Sequence, residues 1–345
     1  MTAATGQITV LGAGSWGTAL AALLAANGHT VRLWAREEKL VEALRTAHEN
    51  TRYLPGTTLP SHILPTSDRA EAVEGSKVVV FAVPSGALRQ VAEEFALSLG
   101  SEVLLLSASK GLEDHTGLRM SQVLGATLPN ATGRTVVLSG PNLAVEMARG
   151  VPTASVAASN NPEAAATIQQ LFTYQSPPTF RVYTSEDVIG VELGGAIKNV
   201  IAIGAGVCDG LGFGDNAKAA LMTRGLSEAV RLGRAQGADE ATFLGLSGVG
   251  DLIATAASSL SRNYRVGKAL GQGRSLADTL AELGQVAEGV PTTRALCELA
   301  ARSQVEMPLC SALNAVLFEN RSAPEMIQEL MLRPPKPERT VFHKA

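Results

Sequence analysis

Three glycines near the start of the chain constrain its fold more than any other feature. They follow an apolar, β-branched run at 8–11 and precede an apolar, helix-forming stretch. In the spacing Gly12-x-Gly14-x-x-Gly17, the first glycine permits a tight turn, the second lets the backbone approach a pyrophosphate, and the third lets the helix pack against the strand. A second strand-like run at 31–34 completes a βαβ pattern. The pattern therefore predicts a turn that binds NAD or NADP, in preference to an ordinary glycine turn.

Strand and helix signals alternate through the first half of the chain, and helix signals alone follow. The predicted strands are 8–11, 31–34, 77–83, 103–107, 135–139, 153–157 and 180–183. The predicted helices of the second half are 187–207, 215–236, 239–245, 263–270, 276–284, 292–303 and 309–319. Alternating elements indicate a mostly parallel sheet covered on both faces. We therefore expect an α/β protein with an N-terminal Rossmann-type, mostly parallel sheet followed by an all-helical C-terminal domain.

The length of the chain suits two domains. A single hydrophobic core rarely serves more than about 300 residues, and this chain has 345. The change from mixed to helical patterning falls near residue 187. We expect a dinucleotide-binding domain at 1–187 and a helical substrate or catalytic domain at 188–345.

Charge and cysteine usage narrow the class of protein. The net charge of −3 gives no reason to expect nucleic acid or an acidic membrane as a partner. The three cysteines are far apart and odd in number, which favours a reducing compartment. The apolar stretch 8–26 resembles a signal peptide, but no basic region precedes it and it contains the glycine turn. We expect a cytoplasmic protein without a membrane span.

The end of the second predicted strand bears on the choice of dinucleotide. An acidic residue there typically binds the ribose 2′-hydroxyl of NAD, whereas an arginine accommodates a 2′-phosphate. Arg36 stands at this position, and Glu37 and Glu38 follow it. Arg36 favours NADPH, and the two glutamates leave NADH possible. The alternative is that Arg36 is a solvated charge at a helix start.

Hydride transfer to a carbonyl needs a proton donor, and the lysines fit this role better than the histidines. None of the five histidines lies on an apolar, glycine-rich element. Lys198 lies within a long apolar helix, where burial would make its ammonium a better acid. Lys110 follows the strand 103–107, at the strand end where ligands bind in open α/β sheets. The alternatives are a core lysine at 198 and an exposed loop lysine at 110.

Ser261, Arg262 and Asn263 precede a predicted helix and form a candidate anion site. Free backbone N–H groups and a guanidinium at a helix start favour a phosphate. Simple helix capping by Ser261, with a solvated Arg262, is the alternative. Asp251 ends a glycine-rich turn and either pairs with Lys198 or caps the next helix.

These segments together resemble the bacterial-type NAD(P)-dependent glycerol-3-phosphate dehydrogenase family. The similarity extends over about residues 8–320 and rests on several motifs in order. The matching segments are GAGSWGTALA (12–21), SASKGLE (107–113), SGPNLAVEM (139–147), VELGGAIKNVIAIGAG (191–206), 216–228, SGVGDLIATAASSLSRNYRVG (247–267) and GQVAEGVPT (284–292).

The resemblance implies a role for each matched residue. Implied cofactor contacts are Gly12, Gly14, Ser15, Trp16, Gly17, Arg36, Lys110, Ala144, Arg262, Val286 and Glu288. Implied substrate contacts are Lys110, Gly140, Asn142, Lys198, Asp251, Ser261, Arg262 and Asn263. Implied catalytic residues are Lys198, Lys110 and Asp251, with Lys198 moving the proton. Asn142 departs from the serine or threonine usual in the family, and Val145 replaces a commonly polar residue.

The expected reaction is the reversible reduction of dihydroxyacetone phosphate to sn-glycerol 3-phosphate with NADPH, or with NADH, which by resemblance supplies glycerophospholipid synthesis. Two alternatives remain open from the sequence. One is another dehydrogenase with a helical second domain, acting on a hydroxyacyl thioester or a sugar acid. The other is a non-catalytic NADP(H) sensor. A homodimer is compatible with the apolar helical half.

Overall fold

The computed structural model describes residues 6–173, 178–335 and 337–338. The strands are β1 Gln7–Leu11, β2 Thr30–Trp34, β3 Glu49–Asn50, β4 Leu54–Thr58, β5 Ile63–Thr66, β6 Val78–Phe81, β7 Leu104–Ser107, β8 Thr135–Ser139, β9 Thr153–Ala158 and β10 Phe180–Ser185. The helices of the first half are α1 Ser15–Ala26, α2 Glu38–Ala47, α3 Arg69–Val73, α4 Leu88–Phe95, α5 Met120–Thr127, α6 Ala144–Ala148 and α7 Pro162–Thr173. Those of the second half are α8 Val188–Gly210, α9 Gly214–Ala235, α10 Asp251–Ala257, α11 Arg262–Gly271, α12 Leu276–Leu283, α13 Gly289–Arg302, α14 Pro308–Phe318 and α15 Ala323–Met331.

Eight strands form one sheet in the order β10-β9-β8-β7-β6-β1-β2-β5. All neighbouring pairs are parallel except β8 and β9. The chain moves outward from β1 through β2 to β5 and then returns to place β6 on the other side of β1. The strand order therefore reverses beside β1, and ligands of open α/β sheets bind at such a reversal.

Apolar side chains fill both faces of the sheet. Leu20 of α1 and Ile168 of α7 pack with Val10 on one face. Leu88 of α4 and Met120 of α5 pack on the other face. This burial on both sides explains why the strands are nearly continuous apolar runs. The predicted α/β class, with its mostly parallel sheet, is confirmed.

The second half packs around α8. Almost every residue of this helix is buried, and it contacts α9, α10, α11 and α13. Among the described residues, α8 alone has the length and hydropathy of a membrane span, but 89% of its most apolar window is buried in the protein. No strand occurs among the described residues after β10, as the prediction of a helical second half requires. The outermost residues of the two predicted domains, 1–5 and 339–345, lie outside the described residues.

Some local elements differ from the sequence prediction. The predicted helix 239–245 is a short 3-10 helix, Glu240–Leu244, followed by a π-helical turn at Leu246–Gly250. The hairpin of β3 and β4, and the helix α10, carry no strong periodic signal. The π-helical turn is hard to recognise in the sequence because glycines lie at both of its ends. The helix α10 is hard to recognise because it is short.

Candidate active site

The glycine turn after β1 has the close packing that its spacing predicts. Gly12 has a φ of +111°, and a Cβ there would lie 2.6 Å from the carbonyl oxygen of Ala82. A Cβ on Gly17 would overlap the carbonyl oxygen of Gly12. Backbone atoms therefore exclude a side chain at Gly12 and at Gly17, because the backbone cannot move aside as a flexible side chain could.

The N-terminus of α1 is open for an anion. Gly14 is the N-cap residue, and no side chain caps the helix. A Cβ on Gly14 would meet no atom within 4 Å, and the first turn carries no acidic residue. Unpaired N–H groups at a helix start, with open space before them, fit a pyrophosphate. The residues of this turn therefore fit the dinucleotide.

Two predicted cofactor residues anchor the surroundings of this turn. Trp16 Nε1 donates to the carbonyl oxygen of Ala108 at 3.1 Å, which ties α1 to the segment after β7. The Ser15 hydroxyl donates to the carbonyl of Tyr53. Both residues thus lie at the carboxyl edge of the sheet, beside the reversal in strand order.

The centre of the site is a carboxylate held between two ammonium groups. Asp251 Oδ1 lies 3.1 Å from Lys198 Nζ, and Asp251 Oδ2 lies 2.9 Å from Lys110 Nζ. The Asp251 side chain is only 3% exposed, and that of Lys198 only 9%. Asp251 therefore pairs with Lys198, which is one of the two roles predicted for it. Lys110 is not the exposed loop lysine that the sequence left possible.

The two lysines differ in their remaining hydrogen-bonding capacity. Lys110 Nζ donates to Gly140 O at 2.8 Å and to Asn142 Oδ1 at 2.7 Å, in addition to Asp251. An ammonium has three N–H groups, so those of Lys110 are all used. Lys198 Nζ contacts Asp251 and Thr255 Oγ1, at 2.9 Å, among the described residues. One N–H of Lys198 is therefore left for a ligand.

Burial and charge set the proton affinities of this cluster. Burial lowers the pKa of Lys198 to about 8, against the opposing attraction of Asp251. The positive charges of Lys110 and Arg262 contribute smaller decreases that are already included in this value. Burial would raise the pKa of Asp251, yet the two ammonium groups hold it below its ordinary value. The cluster thus combines an ionised carboxylate with a lysine that releases its proton near neutral pH.

The start of α11 supplies a partly buried cationic group. Ser261 caps the helix by accepting from the N–H of Tyr264 at 3.2 Å. Arg262 comes next, and burial lowers its pKa, whereas the charge of Glu288 acts in the opposite direction. No described residue forms a hydrogen bond or an ion pair with its guanidinium. A partly buried guanidinium without a partner among the described residues, beside a helix N-terminus, fits a phosphate.

Asn263 fixes this helix start to two neighbours. Its Nδ2 donates to Asn199 Oδ1 at 2.8 Å, and its Oδ1 accepts from the N–H of Gly289 at 2.9 Å. Asn199 follows Lys198 on α8, so one hydrogen bond connects the candidate phosphate site to the lysine's helix. Ser261 and Asn263 therefore hold Arg262 in place through their own hydrogen bonds.

Glycines let α8 and α11 cross at backbone contact. A Cβ on Gly206 would overlap the carbonyl of Tyr264, and a Cβ on Gly267 would overlap the carbonyl of Ile203. A Cβ on Gly271 would lie 2.5 Å from the carbonyl oxygen of Val207. This close crossing brings the first turn of α11 next to Lys198.

Glu288 connects the two halves of the chain. Its carboxylate accepts from the N–H of Ser85 at 3.1 Å and from the Ser85 hydroxyl. Burial raises the pKa of Glu288, which these hydrogen bonds and Arg262 partly offset. Ser85 follows β6 beside the glycine turn, so the contact closes one side of the cleft.

The remaining predicted cofactor residues lie away from the lysine–aspartate cluster. Arg36 is exposed after β2, and its guanidinium pairs with Glu94 at 3.1 Å. Ala144 begins α6, which packs on α1. Val286 is exposed between α12 and α13. None of the three makes a described hydrogen bond or ion pair to the cluster, so their predicted contacts with the cofactor stay predictions.

Comparison with known proteins places the whole chain in one family. Models of the NAD-dependent glycerol-3-phosphate dehydrogenase N-terminus and C-terminus match residues 7–165 and 187–328. A Geobacter metallireducens protein named glycerol-3-phosphate dehydrogenase (NAD(P)+) is 52% identical over 334 residues, covering 96% of this chain and 99% of that protein. The chain belongs to the NAD(P)-dependent glycerol-3-phosphate dehydrogenase family.

Other members of the family give the same result. A protein of that name from Bacillus cytotoxicus is 49% identical over 328 residues, covering 95% of each chain. The crystal structure of glycerol-3-phosphate dehydrogenase from Coxiella burnetii superimposes with a TM-score of 0.90 at 37% identity, covering 95% of this chain and 99% of that one. The resemblance predicted from the motifs is confirmed, and the chain is an oxidoreductase. The predicted cofactor, NADPH or NADH, agrees with the NAD(P)+ in the names of these relatives.

The two departures from the family pattern are compatible with this site. Asn142 accepts from Lys110 through Oδ1 and donates to Ser155 Oγ at 3.0 Å through Nδ2. It therefore supplies the acceptor that a hydroxyl would supply to Lys110. Val145 packs partly buried against the apolar face of the N-terminal sheet. Neither departure removes a charge from the cluster.

Sequence reasoning missed two members of this site. Thr255 accepts from Lys198 and donates to Asp251 Oδ1 at 3.1 Å. It lies four residues after Asp251, on the same helix face, and this spacing was the available signal. The other is the contact of Ser85 with Glu288, whose two residues lie 203 positions apart and leave no local signal in the sequence.

Proposed function

We propose that this protein reduces dihydroxyacetone phosphate to sn-glycerol 3-phosphate with NADPH, reversibly, and that Lys198 moves the proton. The observation that carries this assignment is the free N–H of Lys198, in a group whose pKa is about 8. A general acid works best when its pKa lies near the working pH. Lys110, with its three N–H groups occupied, is better suited to holding Asp251 in position than to giving up a proton.

The dinucleotide, when bound, supplies the hydride that reaches the carbonyl carbon. The protein's own part is to place the carbonyl oxygen beside Lys198. As negative charge develops on that oxygen, the Lys198 ammonium stabilises it and transfers its proton. Asp251 holds both lysines in position through its two oxygens and offsets one of their two positive charges.

Arg262 is the proposed anchor for the substrate phosphate. Its side chain is partly buried, and its guanidinium lacks a partner among the described residues. The N-terminus of α11 adds a partial positive charge in the same direction. A phosphorylated ketone can therefore bind with its phosphate at α11 and its carbonyl near α8, two helices joined by the bond between Asn263 and Asn199.

The cellular setting, the domain division and the assembly of the protein are proposals that rest on the family and the composition. We expect a cytoplasmic enzyme that supplies glycerophospholipid synthesis and binds neither nucleic acid nor a membrane. The two predicted domains, 1–187 and 188–345, and the predicted homodimer belong to the same proposal. The turn and the start of α8, between Ser185 and Val188, agree with a boundary near 187.

A comparison of substrates tests the function. We expect rapid NADPH oxidation with dihydroxyacetone phosphate and slow oxidation with unphosphorylated dihydroxyacetone, because only the former has a phosphate for Arg262. Equal rates with both ketones would contradict the anchor. NADPH oxidation with an oxoacyl thioester or a keto sugar acid, and none with dihydroxyacetone phosphate, would favour the alternative dehydrogenase. Cofactor binding without turnover would favour the sensor.

A further inference from the structure

An exposed ion pair lies beside the end of β2 and takes no part in the site described above. Arg52 lies in the turn 51–53 that joins β3 and β4. Its Nη1 donates to Glu37 Oε2 at 2.7 Å, and both side chains are more than half exposed. Glu37 directly follows Arg36, so two guanidinium groups flank the strand end.

Hydrogen bonds hold the hairpin of β3 and β4 against the glycine turn after β1. Asn50 Nδ2 donates to Ala13 O at 2.9 Å and to Thr18 Oγ1 at 2.8 Å. The carbonyl of Tyr53 accepts from Ser15 at the start of α1. The Arg52 guanidinium lies 4.9 Å from the centroid of the Tyr53 ring. Arg52 is therefore fixed on the same side of the sheet as the glycine turn.

In a sheet of this topology, the adenosine ribose of a bound dinucleotide lies next to the end of β2. A 2′-phosphate takes guanidinium partners, whereas a 2′-hydroxyl takes a carboxylate. Glu38 is already engaged by the Ser67 hydroxyl. Glu37 is therefore the carboxylate available to a hydroxyl, and Arg52 is the cation already bound to that carboxylate.

We propose that Arg52 is a second specificity-determining residue for NADPH: its guanidinium leaves Glu37 to bind the 2′-phosphate, and Glu37 accepts from the 2′-hydroxyl when NADH binds. This inference rests on the proposed place of Arg36 at the adenosine end of the cofactor site. It explains how one strand end serves both dinucleotides, since each ligand uses a different member of the same ion pair.

Replacing Glu37 by the 2′-phosphate as the partner of Arg52 costs little free energy. Exposed ion pairs contribute little and are screened by salt, whereas a phosphate dianion offers a stronger partner than one carboxylate. Arg36 is released in the same way, because its partner Glu94 also has Arg69 at 3.8 Å. Both arginines can therefore turn to the phosphate while Glu94 keeps a cationic neighbour.

Adenosine 2′,5′-bisphosphate and adenosine 5′-monophosphate test the proposal, since they differ only in the 2′-phosphate. We expect Arg52→Ala to weaken the bisphosphate by about tenfold in calorimetric titration, as for loss of one charged hydrogen bond, and to leave the monophosphate unchanged. Arg45→Ala is the matched control, because Arg45 of α2 donates to the backbone carbonyl of Pro65 and should change neither.

Glu37→Gln tests the other half of the pair. We expect it to raise the KM for NADH relative to that for NADPH, whereas Arg52→Ala changes this ratio in the opposite direction. Equal losses for both adenosine nucleotides in Arg52→Ala, or no loss for either, would overturn the proposal. Fragment binding does not depend on turnover, so it gives an answer even if dihydroxyacetone phosphate is not the substrate.

Discussion

Lys198 Nζ lies 3.1 Å from Asp251 Oδ1, and both side chains are almost completely buried. The lysine comes from the middle of α8 and the aspartate from the first residue of α10. Burial lowers the pKa of Lys198, and the carboxylate of Asp251 partly offsets this decrease. The pair thereby gives the site an acid with a pKa of about 8, from a side chain whose ordinary value is 10.5.

Lys198→Ala is expected to lower turnover by about 10²- to 10⁴-fold, the usual contribution of a general acid. Steady-state rates of NADPH oxidation measure this loss, and calorimetric titration with NADPH should still detect binding. The matched control is Lys77→Ala, an exposed lysine just before β6, at the edge of the sheet opposite the cleft. Turnover within twofold of the unchanged enzyme in Lys198→Ala would remove this lysine from the proton step.

The pH dependence should report the same group. Reduction needs the protonated lysine, so kcat should fall as the pH rises through about 8. Asp251 raises the pKa of Lys198, so Asp251→Asn should move this falling limb to lower pH. A series of kcat measurements from pH 6 to 10 in both proteins checks the direction, and a limb that stays in place or moves upward would contradict it.

Arg262→Ala is expected to raise the KM for dihydroxyacetone phosphate by at least about tenfold, because a charged hydrogen bond to the phosphate is lost. Arg265→Ala is the control, since Arg265 lies one turn further on α11 and is exposed. The KM for unphosphorylated dihydroxyacetone should change little in either variant. An unchanged KM for the phosphorylated ketone in Arg262→Ala would show that the phosphate binds elsewhere.

The crossing of α8 and α11 should be sensitive to a single methyl group. Gly267→Ala places a Cβ on the carbonyl of Ile203, and we expect a loss of about 2 kcal/mol or more in the free energy of unfolding. Gly125→Ala in α5, where a Cβ meets nothing within 4 Å, should be neutral or stabilising. Urea denaturation of the two variants measures the difference, and equal stabilities would refute the backbone contact.

The parts of the site that lie within local sequence patterns could be predicted from the sequence. The turn at Gly12 and the helix around Lys198 follow from spacing and apolar periodicity alone. The bond from Ser85 to Glu288 joins residues far apart in the chain, and no local pattern predicts it. The hydrogen bonds that occupy Lys110 also depend on tertiary packing, so they could not be predicted from the sequence.

The rate of NADPH absorbance loss on adding dihydroxyacetone phosphate to the purified protein tests the central claim most directly. We expect saturable oxidation that forms one sn-glycerol 3-phosphate for each NADPH consumed. The configuration of the product should be that of the sn-3 enantiomer. No oxidation under these conditions, with NADPH shown to bind, would contradict the proposed reaction.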